Sequence, residues 1–531
     1  METDQRSVDI VVVGAGFGGS IMAMVCRRLG RSVILVERGK HPRFAIGESS
    51  TPLTNLLLEE IGERFNLGFL AEFSKWGSWQ EKHAKISCGL KRGFSFFHHR
   101  EGKAFRRFED HRNELLVAAS LTDALGDTHW YRPELDAFLV EKAVELGSEY
   151  WDESQIVAAE EASEGLRLKV ERPSEALTLR ARFVIDASGP RGVLFRCLNL
   201  CDRSIAGMPL TQALFGHFRK VTRCQDLDAF RLPEVPPYPI DCAAVHHVFR
   251  SGWFWELGFN NGIVSAGVVM TDEWAECLRL EGTISAWKGV IARFPSLQQI
   301  FANAVVDSQF FYQRRVSFFS DLLHGRGWAL LPSAAAVIDP LFSTGFPLNL
   351  LGIVRLGLAI ERFFDLPGFL GQMERYSEVT RDEACRVGRL VGVAYQAMGS
   401  PKVFNAVSYL YFAAVSFEET RRRLKRVPID NGFLLGSHRC FRDRLDRCLD
   451  QISRQLAQGS LRQEQEDQLV NHVIETVEPF NVIGIGRRNA QNWYPVRMEY
   501  LFRSLEKLES DVNEVREMLL RCGVEQKLMP A

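Results

Sequence analysis

The chain has 531 residues, 46% of them hydrophobic, 25% charged and 11% aromatic, which suits about two to four folded units and excludes wholesale disorder. Lys and Arg total 65 against 66 for Asp and Glu, and a net charge of -1 removes the electrostatic case for nucleic-acid or anionic-membrane binding. Eleven scattered cysteines, a polar start at Met1-Glu2-Thr3-Asp4 and apolar runs broken by Asp339 and Arg355 predict a reduced cytoplasmic protein with no signal peptide and no membrane span.

Residues 10–13, with Val8 before them, form a β-branched run that reads as a strand buried on both faces. Gly14-Ala15-Gly16-Phe17-Gly18-Gly19 follows, then a helical stretch over 20–29 stopped by Gly30, then a second buried strand over 33–37. A strand is predicted over 94–99 and a helix over 133–146, and residues 165–187 alternate before turning apolar. The segment 205–320 is strand-rich, with runs at 243–249 and 262–270 that fit an antiparallel sheet. Residues 328–363 return to α/β texture, with a helix expected from Pro347. Helices dominate beyond 370. The last, carrying Leu501, Leu505, Leu508, Val512, Val515 and Leu519, is expected to pack as one terminal helix, and Arg421-Arg422-Arg423 as a solvated helix face.

The first βαβ unit carries the chemistry. In Gly14-x-Gly16-x-x-Gly19 the first glycine makes a tight turn and the second admits a pyrophosphate to the backbone. The third permits close helix–strand packing, and the helix N-terminus attracts phosphate charge. Glu37 ends the second strand about 20 residues beyond the loop, where a carboxylate accepts ribose hydroxyls. An adenine dinucleotide is expected here. Ile483-Gly484-Ile485-Gly486-Arg487 lacks both the third glycine and a βαβ frame, so it is expected to be a loop. His98-His99 and His246-His247 lie in apolar runs without carboxylate or cysteine spacing, so no metal is expected.

Four further segments, in order along the chain, resemble the flavin-dependent halogenases of the FAD monooxygenase superfamily. They are Glu37-Arg38-Gly39-Lys40-His41-Pro42-Arg43-Phe44-Ala45-Ile46-Gly47-Glu48-Ser49, Tyr131-Arg132-Pro133-Glu134-Leu135-Asp136, Asp186-Ala187-Ser188-Gly189 and Val337-Ile338-Asp339-Pro340-Leu341-Phe342-Ser343-Thr344-Gly345. The resemblance implies an α/β FAD-binding Rossmann-type domain with an inserted antiparallel substrate sheet and a helical C-terminal region. The implied bounds are 1–204 and 328–369 for the FAD domain, 205–327 for the sheet and 370–531 for the helices. It assigns FAD contacts to Gly14, Gly16, Phe17, Gly18, Gly19, Glu37, Arg38, Arg43, Ser49, Arg132, Asp186, Ser333, Pro340, Gly345 and Phe346. It also places halide at Ser343, Thr344 and Gly345, ahead of a helix whose free N–H groups suit an anion.

By the same resemblance Lys91, in Gly89-Leu90-Lys91-Arg92-Gly93, directs hypohalous acid to the substrate, with Lys82 and Lys85 as nearby alternatives. Trp253 and Trp255, two apart on a strand, would form a wall between flavin and substrate together with Phe342. The chain departs from the family at Pro332-Ser333, where members carry an aspartate that binds the ribityl chain, and at Gly258, where they carry proline. Phe342 replaces the glutamate of tryptophan-acting members, which argues against free tryptophan, and the Lys91-Arg92 and Trp130-Tyr131-Arg132 segments resemble members acting on phenylpyrroles and polycyclic phenols, so a phenol-, pyrrole- or indole-like aromatic, free or carrier-bound, is the implied substrate. One dinucleotide fingerprint implies that a separate flavin reductase supplies reduced FAD. An FAD hydroxylase, or a flavoprotein with a binding role, are the alternatives.

Overall fold

The computed structural model describes residues 5–231, 234–307 and 309–530. Its organising element is an eight-stranded sheet with a parallel centre, in the order His324–Gly325, Trp328–Leu330, Ala176–Asp186, Gln5–Val13, Val33–Val36 and Glu149–Trp151. The hairpin Gln155–Glu161 and Leu166–Glu171 extends from Ala176–Asp186. Val11 sits against both Ile34 and Val184, and residues 10–12 are wholly buried, which is why the sequence there is a continuous apolar run. Each such side chain contributes about 1.5–3 kcal/mol on burial. Helix Phe17–Arg28 begins directly after the glycine turn, so its N-terminus faces the carboxyl ends of the parallel strands.

A second sheet of nine strands runs Val305–Val306, Thr211–Arg219, Ile263–Thr271, Gly252–Gly258, Ala244–Phe249, Gly93–His98, Glu114–Ala118 and Trp493–Tyr494, with Phe311–Gln313 beside Thr211–Arg219. It does not respect the linear segments 1–204, 205–327 and 370–531. Gly93–His98 pairs in parallel with Ala244–Phe249, and Trp493–Tyr494 joins from the C-terminal region. The 205–320 stretch also holds helices Asp272–Cys277, Ile284–Ile291 and Pro295–Ile300, which cover the outer face of this sheet through Trp287, Val290 and Leu297. The return strand Trp328–Leu330 lies parallel to Ala176–Asp186, bringing the Asp339-Pro340 segment back to the glycine loop's sheet.

The C-terminal third forms helices Phe369–Ala397, Pro401–Arg423, Arg439–Leu456 and Gln463–Val477. Two expectations there are corrected. Residues 499–521 are three short helices, Glu499–Phe502, Leu505–Leu508 and Val512–Arg521, because Glu509 takes a left-handed conformation and Asp511 starts a new helix with a capping box to Glu514. Arg421-Arg422-Arg423 is not a solvated face. Arg422 is buried against Glu418 and reaches Glu60, while Arg423 bonds Glu419 and Glu59, tying this helix to Pro52–Arg64. No helix among the described residues is long and apolar enough to cross a membrane.

Candidate active site

The glycine loop has the geometry its spacing demands. Gly14 has φ +92°, and a Cβ there would sit 2.7 Å from Ser188 Cα; at Gly19 it would sit 1.8 Å from Gly14 O. Gly16 differs, since a Cβ would first meet side-chain ends: Arg132 Nη2 at 3.2 Å, Asp136 Oδ2 at 3.6 Å and Arg43 Nη2 at 3.9 Å. The space above Gly16 is therefore bounded by two guanidinium groups, Arg132 paired with Asp136 and Arg43 with Glu37, and by the first turn of helix Phe17–Arg28, whose free N–H groups suit a diphosphate. Arg132 is locked there: Nε and Nη2 donate to Asp136 at 2.7 and 2.8 Å, and Nη1 donates to the Gly47 carbonyl at 2.9 Å.

Glu37 is buried beside this space. Its Oε2 accepts from the Ala15 N–H at 3.0 Å and from Arg43 at 2.8 Å, and its Oε1 accepts from Gly39 N–H. Burial works to raise its pKa, but Arg43 and these N–H groups outweigh it and hold the carboxyl below its ordinary value. Arg38 points to solvent. Both ring nitrogens of His41, Arg43 Nε and the Tyr150 hydroxyl are buried without hydrogen-bond partners. A row of unsatisfied polar atoms beside a glycine cradle fits a polar ligand.

The return segment closes the other side. Ser333 N–H donates to Asn349 Oδ1 at 3.2 Å, and the same amide packs against Gly18, so the Pro332-Ser333 turn is tied to the glycine loop through Asn349. Ser343 takes φ +54° and turns the chain into helix Gly345–Phe363. Pro340 and Gly345 are exposed, with open space beside Gly345, whereas Phe346 stacks on Trp130 at 4.2 Å and meets Phe17 at 4.8 Å. Trp253 and Trp255 lie on one face of their strand, ring centres 5.8 Å apart. Trp253 Nε1 donates to Tyr395 Oη at 3.1 Å, whose hydroxyl donates to Asp339 Oδ2 at 2.8 Å. Burial pushes the Asp339 carboxyl up to about 7.

Lys91 ends strand Cys88–Lys91, opposite Asp127 on the paired strand Asp127–Trp130. It is fully buried. Its ammonium donates to Ser50 O at 2.6 Å and Ser49 Oγ at 3.0 Å, and lies 3.8 Å from the centre of the Phe94 ring. Burial drives its pKa down, against the pull of Asp127; burial drives Asp127 up, against the pull of Lys91. His129 and His246 are held neutral near it, pushed down to about 3 by burial and then by the Lys91 charge. Phe342 is buried and stacks on Tyr411 of helix Pro401–Arg423 at 4.9 Å and meets Phe96, so the C-terminal helices pack over this side of the sheet. Lys82 and Lys85 are exposed.

The family model described as FAD dependent oxidoreductase matches residues 9–307, more than half of the chain. The chain belongs to that family. Among relatives of this flavoprotein, the tetracycline 7-halogenase of Kitasatospora aureofaciens is 28% identical over 350 residues, 64% of this chain and 61% of that one. The monodechloroaminopyrrolnitrin halogenase PrnC of Pseudomonas fluorescens is 27% identical over 360 residues, 65% and 60% of the two chains. The matched part thus spans about three fifths of the length of these two relatives. The fold of the flavoprotein is that of the halogenase PltM, solved with phloroglucinol and FAD, with a TM-score of 0.79 at 21% identity over 91% of this chain and 99% of that one. The brominase Bmp2 aligns with a TM-score of 0.60 at 20% identity, over 81% and 94%.

The residues of the flavoprotein fit FAD. Gly16 with Arg132 and Arg43 suits the diphosphate, Glu37 the ribose, and the Thr344–Phe346 junction the flavin end. Asp186 differs from its expected part: Oδ1 accepts from Ser188 N–H and Oγ, and Oδ2 from Leu194 N–H at 2.7 Å, so its carboxylate holds the turn that approaches Gly14. Sequence reasoning passed over Asp127, Asn349, Tyr395 and Tyr411. Strand pairing puts Asp127 beside Lys91, and helix packing supplies the others, so no local pattern signals them. It also missed Cys224 and Glu256, which lie against His247.

Proposed function

We propose that this flavoprotein is a halogenase of electron-rich aromatic compounds, with phenols and pyrroles as the substrate class. The observation that carries the reading is Lys91, a fully buried lysine with a lowered pKa, set among aromatic side chains and bonded to Ser49 of the segment that follows the FAD-ribose acid. Similarity to relatives named tetracycline 7-halogenase and monodechloroaminopyrrolnitrin halogenase supports it. Bacterial relatives named for halogenating a pyrrole on a peptidyl carrier protein make a carrier-bound substrate the second form to test.

Gly14, Gly16, Gly19, Glu37, Arg43 and Arg132 would hold the adenosine diphosphate part of FAD, and Ser333, Gly345 and Phe346 the flavin part. Reduced FAD with dioxygen supplies the two-electron oxidant that converts halide to hypohalous acid. The N–H groups at the start of helix Gly345–Phe363 attract the halide. Trp253, bonded to Tyr395, and Trp255, bonded to Ser265, would separate that end from Lys91 and exclude bulk water. A lowered pKa would leave Lys91 Nζ able to act in either form: as an ammonium it donates to the hypohalous oxygen, and as an amine it takes the halogen as the O–halogen bond breaks, the hydroxide leaving as water with an amine proton. Phe94, Phe342 and Tyr411 would hold the aromatic ring against it.

A flavin reductase acting in trans would supply the reduced cofactor. The experiment is incubation with reduced FAD, oxygen, bromide or chloride, and a panel of phenols and pyrroles, read by mass spectrometry. Halogenated product is expected. Oxygenated product formed equally well without halide would replace the reading with a hydroxylase.

A further inference from the structure

On the face of the nine-stranded sheet turned away from Trp253 and Trp255, three buried metal-ligand side chains converge. His247 and Glu256 come from adjacent antiparallel strands, and Cys224 from the turn that follows Thr211–Arg219. Their ligand atoms all lie within 4.8 Å of one another. Cys224 Sγ is 3.8 Å from His247 Nε2, and His247 Nε2 is 2.9 Å from Glu256 Oε1. Tetrahedral zinc with Zn–S near 2.3 Å and Zn–N and Zn–O near 2.05 Å would separate sulfur from nitrogen by about 3.6 Å and nitrogen from oxygen by about 3.3 Å. The present spacings differ from these by a few tenths of an ångström.

Supporting contacts already orient the donors. His99 Nε2 bonds His247 Nδ1 at 2.9 Å, which leaves His247 Nε2 facing the thiol and the carboxylate, the kind of outer partner a metal-bound imidazole carries. His99 is itself buried, and its Nδ1 has no hydrogen-bond partner. Asp241 accepts from the backbone N–H groups of Cys224 and Gln225 at 2.8 and 2.9 Å and so fixes the turn that carries the thiol. Around them pack Phe97, Phe230 and Phe254.

We propose that Cys224, His247 and Glu256 bind one divalent cation of the zinc class, completed by a water, as a structural ion of the substrate sheet. A thiolate and a carboxylate together balance a dication, which makes the site neutral overall in an apolar core. Thiolate, imidazole and carboxylate together select zinc over magnesium or calcium. The ion takes a thiolate, a neutral imidazole and a carboxylate, so binding sends to solvent whatever protons the donors carry beyond those forms, the Cys224 thiol proton among them, and forms Zn–S, Zn–N and Zn–O bonds. No flavin chemistry is involved. The cation would cross-link the turn after Thr211–Arg219 to the centre of the sheet whose other face carries Trp253 and Trp255.

The test is metal content of the full-length flavoprotein purified from zinc-supplemented medium without chelators. The expected result is about one zinc per chain with a Zn–S distance of about 2.3 Å by X-ray absorption. Cys224→Ser and His247→Gln should lower zinc content at least tenfold, whereas Cys201→Ser, at an exposed cysteine, should leave it unchanged. Should the variants fail to fold, the parent decides the matter alone: metal-stripped protein given Zn2+ should gain thermal stability, and Co2+ should give a thiolate-to-cobalt absorption band. Less than about a tenth of an equivalent of zinc in the parent, with no thermal shift on adding Zn2+, overturns the proposal. Full zinc content in folded Cys224→Ser overturns it as well.

Discussion

Gly16→Ala separates the fold from the cofactor site at a single atom. Gly16 caps helix Phe17–Arg28 with φ −74° and ψ 179°, a conformation alanine adopts freely. The new methyl would meet only side-chain atoms, of Arg132, Asp136 and Arg43, none closer than 3.2 Å, so no backbone has to move. Loss of a glycine N-cap costs about 1 kcal/mol, and the reduced freedom of the unfolded chain returns about 0.4–1 kcal/mol. Stability should therefore change by less than about 1 kcal/mol. The methyl nevertheless occupies the space between guanidinium groups where a diphosphate must approach the backbone. Affinity for FAD should fall about 100-fold, roughly 2.7 kcal/mol. Gly19→Ala is the control, because its methyl would lie 1.8 Å from the Gly14 carbonyl and must move backbone, at about 3 kcal/mol or more. Thermal melts of the apoprotein with flavin-fluorescence titration measure both quantities. Parental FAD affinity in Gly16→Ala would refute the placement of the diphosphate.

Asp339→Asn tests a buried carboxyl whose folded pKa, about 7, lies above its unfolded value. The fold then binds the extra proton, so Asp339 favours folding at low pH and loses that contribution as pH rises through about 7. Asparagine keeps its oxygen as acceptor for the Leu341 N–H and turns its NH2 to Tyr395, whose hydroxyl oxygen can accept, so the variant should be more stable than the parent at pH 8 by an amount on the order of a few kcal/mol, with the difference shrinking toward pH 5. A gap independent of pH would show that Asp339 does not titrate in this range. Arg422→Ala leaves Glu418 buried without its cation and should cost about 3–5 kcal/mol in urea unfolding. A cost below about 1 kcal/mol would mean that the arginine cluster is solvated after all.

The parts legible in the sequence were those whose information is local. The run at 10–13, the glycine spacing and Glu37 specify strand, turn and acid within one βαβ unit, and the helix after Ser343-Thr344-Gly345 is announced by Pro347 and its apolar period. The two tryptophans share a face because strand periodicity requires it. What was not legible is long-range pairing. Nothing near Lys91 signals that Asp127 lies across from it, or near Phe342 that Tyr411, far along the chain, stacks on it. The nine-stranded sheet takes strands from three separated stretches, so linear boundaries could not describe it. The leucine spacing at 501–519 misled for the opposite reason: a helical period survives across a capping box that restarts the helix at Asp511.

The central claim is that Lys91 delivers halogen to the substrate, and Lys91→Met tests it most directly. Methionine matches the lysine in length and apolar stem. It loses the bonds to Ser49 and Ser50, about 0.5–1.5 kcal/mol each, and removes a buried cation that was costly to desolvate; Asp127, left without that cation, keeps its bond from Asn55 and, with its pKa already raised by burial, takes a proton rather than remaining a stranded charge. The variant should therefore fold and bind FAD with parental affinity. Parent and variant would be run side by side with reduced FAD, oxygen, bromide and a phenol found reactive with the parent, and the bromine isotope pattern of the product read by mass spectrometry. Brominated product is expected from the parent and a loss of at least about 100-fold in the variant, with reduced-flavin consumption unchanged. Bromination by folded, FAD-bound Lys91→Met at the parental rate would contradict the claim.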